Sequence, residues 1–237
     1  MIEKVKLDNI LFLDIETVPE FENFSLLDEE QQYLFDKKTI FARKDEFSAS
    51  EFYERAGIWA EFGKIICISV GYFVTKADVR NFRVTSFYGD EVKILKDFCN
   101  LLNTHFSQPH HLLCGHNSKE FDFPFLARRI IINQLQMPAK LNLFGKKPWE
   151  IPHLDTLELW KFGDYKHFTS LRLLTKVLKI PSPKDDIDGS EVAHVYYVEK
   201  DIDRIITYCE KDVIAVAQVI LRLRNEDLLI EEEISVI

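Results

Sequence analysis

Long apolar runs are missing from this 237-residue sequence, and their absence excludes two classes of protein. Residues 1–9 alternate charged and apolar side chains, so they lack the apolar core of a secretory signal peptide. No later segment approaches the roughly 20 apolar residues that an α-helix needs to cross a bilayer. We therefore expect a soluble, cytoplasmic protein that does not contact a membrane.

Cysteine is scarce, and its spacing argues against a structural zinc site or a disulfide framework. The four cysteines are far apart, none forms a CxxC pair, and each lies among apolar residues. They are Cys67, Cys99, Cys114 and Cys209. We expect buried free thiols in a reducing compartment.

Positively charged residues are also too few to balance the negative ones. The chain has 30 Lys and Arg residues but 39 Asp and Glu residues, which gives a net charge of −9. This balance has the wrong sign for a protein that grips duplex DNA by its phosphates. The objection weakens for a protein that binds only a short single-stranded end, where base stacking and metal ions replace much of the basic surface.

The pattern along the chain predicts one α/β domain over residues 1–237, with an insertion at about 19–62. Apolar and β-branched segments predict strands at 10–13, 64–74, 79–88 and 111–114. Helical spacing of apolar residues predicts helices at 91–106, 119–132, 154–160, 170–178 and 201–224. The insertion predicts one or two helices, near 28–35 and 49–60, and residues 181–189 predict a turn-rich loop.

Two carboxylates follow the first apolar strand. Residues two apart in a strand point to the same face, so Asp14 and Glu16 project into one space. Their charges repel unless a cation or protons neutralise them, which suggests metal binding. The alternative is a solvated strand end.

A third carboxylate, Asp122, falls in the first turns of the helix that follows the strand at 111–114. The helix dipole favours an acidic residue there, so Asp122 alone proves little. Asn117 either caps this helix or hydrogen-bonds the backbone of a substrate.

The last predicted helix carries Tyr208 and Asp212, four residues apart and on one helical face. Asp212 could pair with Arg204 or Lys211 for purely structural reasons. Beside a phenol, it also suits a site where the tyrosine orients water and the aspartate binds a metal.

Taken in order, these segments resemble the three Exo motifs of the DEDD exonuclease superfamily. The matching segments are Asp14-Ile15-Glu16-Thr17, the NxxxFD run from Asn117 through Phe121 to Asp122, and Tyr208-xxx-Asp212. The tyrosine resembles the DEDDy branch, because Thr207 stands where the DEDDh branch has histidine. The runs PSPKDDIDGSEV (181–192) and YCEKDV (208–213) are similar to stand-alone predicted 3'-5' exonucleases of the family B polymerase exonuclease-like group.

The resemblance implies a ribonuclease H-like fold, with a central mixed sheet of five or six strands flanked by helices on both faces. It also implies 3'-5' exonuclease activity on DNA ends with two Mg²⁺ or Mn²⁺ ions. It assigns four metal ligands, Asp14, Glu16, Asp122 and Asp212, and gives Tyr208 the task of aiming the nucleophile. Substrate contacts would come from Thr17, Asn117 and Phe121, although Phe121 could instead belong to the core.

The ligand set and the basic residues lead to further expectations. All-oxygen ligation favours Mg²⁺ or Mn²⁺ over zinc, so His116 is expected to be structural. Four basic residues in the insertion are expected to touch substrate phosphates, namely Lys37, Lys38, Arg43 and Lys44. The alternatives are an RNA exonuclease of the same superfamily and a silent domain that binds nucleic acid or protein. A polymerase or repair enzyme acting in trans is a possible partner.

Overall fold

The computed structural model describes residues 2–44, 46–76, 79–164, 166, 168–181 and 187–237. Two predicted turns fall partly outside these residues. They are the hairpin turn at 75–78 and the turn-rich loop at 181–189.

Within these described ranges, six strands form one mixed sheet, in agreement with the predicted fold. The strands are β1 Ile10–Pro19, β2 Gly63–Lys76, β3 Val79–Tyr88, β4 Leu112–Gly115, β5 Leu154–Asp155 and β6 Ile234–Val236. Their order across the sheet is β5-β4-β1-β2-β3-β6. The β1–β2 and β2–β3 pairs are antiparallel, whereas β1–β4, β4–β5 and β3–β6 are parallel.

The helices begin and end close to the sequence prediction in the second half of the chain. They are α1 Glu29–Arg43, α2 Ala49–Phe52, α3 Glu91–Thr104, α4 Asp122–Ile132, α5 Thr156–Lys161, α6 Leu171–Val177, α7 Val192–His194 and α8 Ile202–Leu223. Side chains at the N-caps explain several of these starts, because Asp90, Ser170 and Asp201 each accept a hydrogen bond from the backbone three residues on.

Successive side chains of β1 point to opposite faces of the sheet and so belong to two separate apolar layers. Leu11, Leu13 and Ile15 face the layer that α3 and α4 complete. Ile10 and Phe12 face the other layer, which α8 covers. Helices therefore lie on both faces of the sheet, as expected for a ribonuclease H-like fold.

Three element assignments from the sequence need correction. Residues 154–155 form β5, not the start of a helix, because they pair with Cys114 and Gly115. The acidic residues 231–233 form a 3₁₀ turn and lead into β6, a strand beside residues 82–84 that is absent from the predicted strands. Helix α1 continues to Arg43, well beyond the predicted helix at 28–35.

The insertion packs around an aromatic cluster of its own. The Phe35 ring lies in edge contact with Tyr53 and Phe62, at centroid distances of 5.2 and 5.1 Å. Asp28 and Ser48 form capping boxes that start α1 and α2. The insertion is tied to β1, since the Thr17 hydroxyl donates a 2.8 Å hydrogen bond to the Gly57 carbonyl.

The cysteine prediction is confirmed, because all four thiols are free and buried. No helix within the described part of the chain combines the length and apolar character needed to cross a bilayer.

Gly71 gives a test of how α8 packs on the sheet. A Cβ at this position would lie 2.4 Å from the Phe82 ring and 2.8 Å from a Val213 methyl group. Gly71→Ala should lower the free energy of unfolding by about 1–3 kcal/mol, since neither neighbour can move freely in the packed layer. Gly189→Ala is the control, because nothing lies within 4 Å of its added Cβ. Equal stability of the two variants by chemical denaturation would contradict this packing.

Candidate active site

Asp14 and Glu16 lie in the interior of β1, so the prediction that they end the strand is wrong. The strand continues because residues 17–19 pair with residues 63–65 of β2. Pro19 can occupy the last position, where its missing N–H costs little. Both carboxylates continue the face begun by Ile10 and Phe12, and therefore point towards α8.

The pairing of β1 with β2 shifts register beside Glu16. Glu16 pairs with Cys67, but Thr17 pairs with Ile65, so β2 carries one extra residue at this point. Such a bulge increases the local twist and redirects nearby side chains. Glu16 is only 7% exposed at this position.

Helix α8 brings Tyr208, Cys209 and Asp212 to the carboxylates of β1. The Cys209 thiol lies 3.5 Å from a carboxylate oxygen of Asp14 and 3.5 Å from its backbone carbonyl. One potential ligand atom from each of Asp14, Glu16 and Cys209 falls within 4.8 Å of the others. Sequence reasoning missed Cys209 as a neighbour of the site. Its place on the apolar stripe, four residues after the buried Ile205, was the available signal.

The carboxyl group of Asp14 lies within electrostatic reach of the other three carboxylates. Burial raises the pKa of Asp14 well above its usual value, and the charges of Asp122, Glu16 and Asp212 raise it further. Burial also raises the pKa of Glu16, followed by the charge of Asp212. Such a cluster is costly when ionised, and bound cations would relieve that cost.

Asp122 is the first residue of α4 and is 3% exposed. Burial raises its pKa to about 7, although the Ser118 hydroxyl and the backbone amides of Ile15 and Asp122 oppose the rise. The carboxyl is therefore held at the edge of the apolar layer, close to β1.

Tyr208 stands beside Asp212 at an opening of the site. Burial raises the pKa of Tyr208, and the negative charges of Asp212 and Glu16 add to the rise, so the phenol stays protonated. A cavity of about 260 Å³ adjoins both side chains. Its lining comprises Ser170, Leu171, Arg172, Thr175, Ile187, Asp188, Tyr208, Asp212 and Ala215.

A buried carboxylate, Asp155, fixes the loop that leads into α4. It accepts hydrogen bonds from the backbone N–H of Asn117 at 2.9 Å and of Lys119 at 3.0 Å. It also caps α5 through the N–H of Leu157 at 2.9 Å. The sequence prediction missed Asp155 because its segment matched a helix.

Asn117 does not cap α4, so that interpretation was wrong. It has a φ of 61° in the left-handed region, which asparagine tolerates better than most residues. Its carbonyl accepts from the N–H of Glu120 and of Phe121, and this tight turn separates it from the helix. A substrate contact through its side chain stays a prediction.

The other predicted substrate residues have partners within the protein. The Thr17 hydroxyl donates its hydrogen bond to the Gly57 carbonyl. The half-buried Phe121 ring packs against Phe125, with 5.5 Å between the ring centroids. His116 is structural, as expected, because its ring nitrogens bond the Thr156 hydroxyl at 2.9 Å and the Thr169 carbonyl at 2.8 Å.

The basic residues of the insertion divide into two groups. Arg43 pairs with Asp36 and donates to the Phe47 carbonyl at 3.0 Å, so it has structural partners within the insertion, and its contact with substrate phosphates stays a prediction. Lys38 forms a 3.2 Å ion pair with the exposed Glu61. Lys37 and Lys44 are exposed, and their contact with substrate stays a prediction.

Comparisons with known proteins identify a family and a related fold. Residues 58–233 match the family described as "Predicted 3'-5' exonuclease related to the exonuclease domain of PolB", a range that contains Asn117, Asp122, Tyr208 and Asp212. No curated protein matches the chain.

One solved structure with a similar fold is the family B DNA polymerase from the hyperthermophilic archaeon Pyrobaculum calidifontis. It aligns with a TM-score of 0.52 and 14% sequence identity over 88% of this chain. The chain spans only 23% of that polymerase's length.

Replacement of Asp155 tests whether its carboxylate holds the loop before α4. Asp155→Asn removes the charge and turns one acceptor into a donor that faces a backbone N–H. We expect a loss of about 1.5–3 kcal/mol in the free energy of unfolding, measured by denaturant titration. Glu158→Gln is the matched control, because its exposed carboxylate only pairs with Lys161, and it should change stability by less than about 0.5 kcal/mol. A similar loss in both variants would contradict the assignment.

Proposed function

Because the chain belongs to the family of predicted 3'-5' exonucleases related to the exonuclease domain of PolB, we propose that it is a metal-dependent 3'-5' exonuclease. It hydrolyses the terminal phosphodiester of single-stranded DNA and releases nucleoside monophosphates. The observation that carries this proposal is the convergence of four carboxylates, two of them buried and two half-buried, with one phenol between β1, α4 and α8.

The carboxylates fit a pair of divalent cations. Four ionised groups would bring about four negative charges into one cleft, which two such ions balance. Oxygen donors suit Mg²⁺ or Mn²⁺, and Asp14, Glu16, Asp122 and Asp212 would supply them. When bound, the ions would lower the pKa of the attacking water and stabilise charge on the leaving oxygen.

The remaining residues would position the reactants. Tyr208 is kept neutral by its raised pKa, so its hydroxyl can hold the attacking water by a hydrogen bond. Arg172 lines the cavity beside Tyr208 and Asp212, and its guanidinium can bind a phosphate of the strand. Asp155 would act indirectly, by holding the loop that carries Asn117.

A single strand suits this protein better than a duplex. The net charge of −9 disfavours broad contact with duplex phosphates, whereas a strand end needs few such contacts. The fold shared with part of a family B DNA polymerase supports a DNA substrate, and a polymerase or repair enzyme in trans is a fitting partner.

Metal binding can be tested by thermal unfolding without any substrate. At a concentration about 100 times the dissociation constant, Mg²⁺ or Mn²⁺ should stabilise the protein by about 2.7 kcal/mol. This corresponds to a rise of about 5–10 °C in Tm for a chain of this size. Asp14→Asn and Asp212→Asn should largely abolish the rise in Tm. In the presence of chelator, Asp14→Asn should be at least as stable as the parent, because the substitution removes one repelling charge.

Asp97→Asn serves as the matched control for the metal experiment. Its exposed carboxylate pairs with Lys93 on α3, so its response to metal should equal that of the parent. If all variants shift by the same amount, the ions bind elsewhere and the ligand assignment fails.

Digestion of a 5'-labelled DNA oligomer tests the reaction itself. With Mn²⁺ or Mg²⁺ we expect a descending ladder that chelator removes and that Asp14→Ala with Asp212→Ala abolishes. Tyr208→Phe should slow turnover by about 10²-fold or more yet keep the metal-induced rise in Tm, since the phenol is assigned to orientation.

An RNA oligomer of the same sequence is digested in parallel. Faster loss of the RNA would reassign the substrate. The absence of a ladder with either metal and either sugar would leave a silent binding domain and end the exonuclease proposal.

A further inference from the structure

A second cavity lies on the outer side of α4, against the irregular segment at 137–151. Its volume of about 370 Å³ falls in the range of ligand-binding clefts, roughly 300–1,000 Å³. Its lining comprises Lys119, Phe123, Pro124, Ala127, Arg128, Ile131, Met137, Leu141, Leu143, Phe144, Lys146, Pro148 and Ile151. We call it the α4 cavity.

Ten of the thirteen side chains that line the α4 cavity are apolar. Phe123 and Leu141 form the buried floor, at 0% and 1% exposure. Ile131 and Phe144 stand at the rim and remain 50% and 72% exposed. Leaving such side chains in water forfeits hydrophobic stabilisation of about 25 cal/mol for each Å².

The charged residues of the lining are all cations. They are Lys119, Arg128 and Lys146, and no carboxylate joins them. None of the three side chains forms a salt bridge with a residue that the structure describes. In a chain of net charge −9, this cavity is therefore a local site of the opposite sign.

We infer that the α4 cavity docks a short acidic peptide segment of a partner protein. One or two apolar side chains of the peptide fill the cavity, and its carboxylates pair with the three cations at the rim. Charge complementarity carries this choice of occupant, because the three cations of the lining attract carboxylates while the chain as a whole is acidic.

A nucleic-acid strand fits the α4 cavity less well. Nucleobases carry hydrogen-bonding groups on their edges, and each group buried without a partner costs about 1–3 kcal/mol. Apart from the three cations, every side chain of the lining is apolar and offers no such partner. Aliphatic and aromatic peptide side chains have no such groups to satisfy.

The position of the α4 cavity gives docking a consequence. Lys119 belongs to the loop that Asp155 holds, three residues before Asp122, and Phe123 directly follows Asp122. A partner bound there would contact the loop and the helix that carry Asp122. The inference concerns binding alone and does not require the protein to be a nuclease.

The test is fluorescence anisotropy with a fluorescein-labelled peptide of sequence Asp-Glu-Asp-Phe-Asp-Ile-Phe-Asp. We expect saturable binding that weakens at least about tenfold between about 0.05 and 0.5 M salt. Two control peptides should bind at least about tenfold more weakly, one with amides in place of the carboxylates and one with serine in place of the apolar residues.

Variants locate the binding site. Arg128→Glu combined with Lys146→Glu should weaken peptide binding at least about tenfold, and Phe144→Ser at least about threefold. Lys96→Glu on α3 combined with Lys176→Glu on α6 is the charge-matched control, because both lysines are exposed and neither lines the α4 cavity, and it should leave binding unchanged. Unfolding curves establish that each variant is folded, and Arg128→Gln with Lys146→Gln replaces the reversal variant if that one is not.

Three outcomes overturn the inference. One is the absence of peptide binding at about 1 mM. Another is binding that the Arg128 and Lys146 substitutions leave unchanged. In the third outcome the peptide does not bind, but an oligothymidylate of matched length does, and the Arg128 and Lys146 substitutions abolish its binding. That result would assign the α4 cavity to the nucleic-acid strand.

Discussion

Repulsion between buried carboxylates is the constraint around which this fold is arranged. Asp14 and Glu16 sit in the middle of a strand, where pairing with Ser69 and Cys67 of β2 prevents their backbone from moving apart. Asp212 approaches from α8, whose apolar stripe is anchored on the same layer as Phe12. The packing of the core thus holds together charges that would separate in a flexible chain.

Hydrogen bonds, rather than apolar packing, hold the loop before α4 in place. Apolar packing alone cannot hold residues 117–121, which form a tight turn with one left-handed residue. A single carboxylate, Asp155, binds the backbone at two points of this turn while it caps α5. Precise placement of Asp122 therefore depends on a residue that belongs to none of the three sequence motifs.

The sequence predicted the parts of the structure that repeat a pattern over many residues. Runs of β-branched residues predicted the hairpin of β2 and β3, and helical spacing predicted the long helix α8. The family resemblance predicted a sheet of five or six strands. Short elements were missed, because β5 and β6 have two and three residues and carry no periodicity of their own. Cys209 and Asp155 were missed for a different reason: their importance comes from contacts across the fold, which spacing along one element does not reveal.

The alternation along β1 also bears on how the chain finds its register during folding. If β1 slipped by one residue against its neighbours, Asp14 and Glu16 would turn into the apolar layer formed with α3 and α4. Leu13 and Ile15 would then face the acidic cleft. Two ionised groups in a dry layer make such a misaligned sheet far costlier than an ordinary slip. The acidic pair thus disfavours one-residue slips of β1, before any metal or substrate is present.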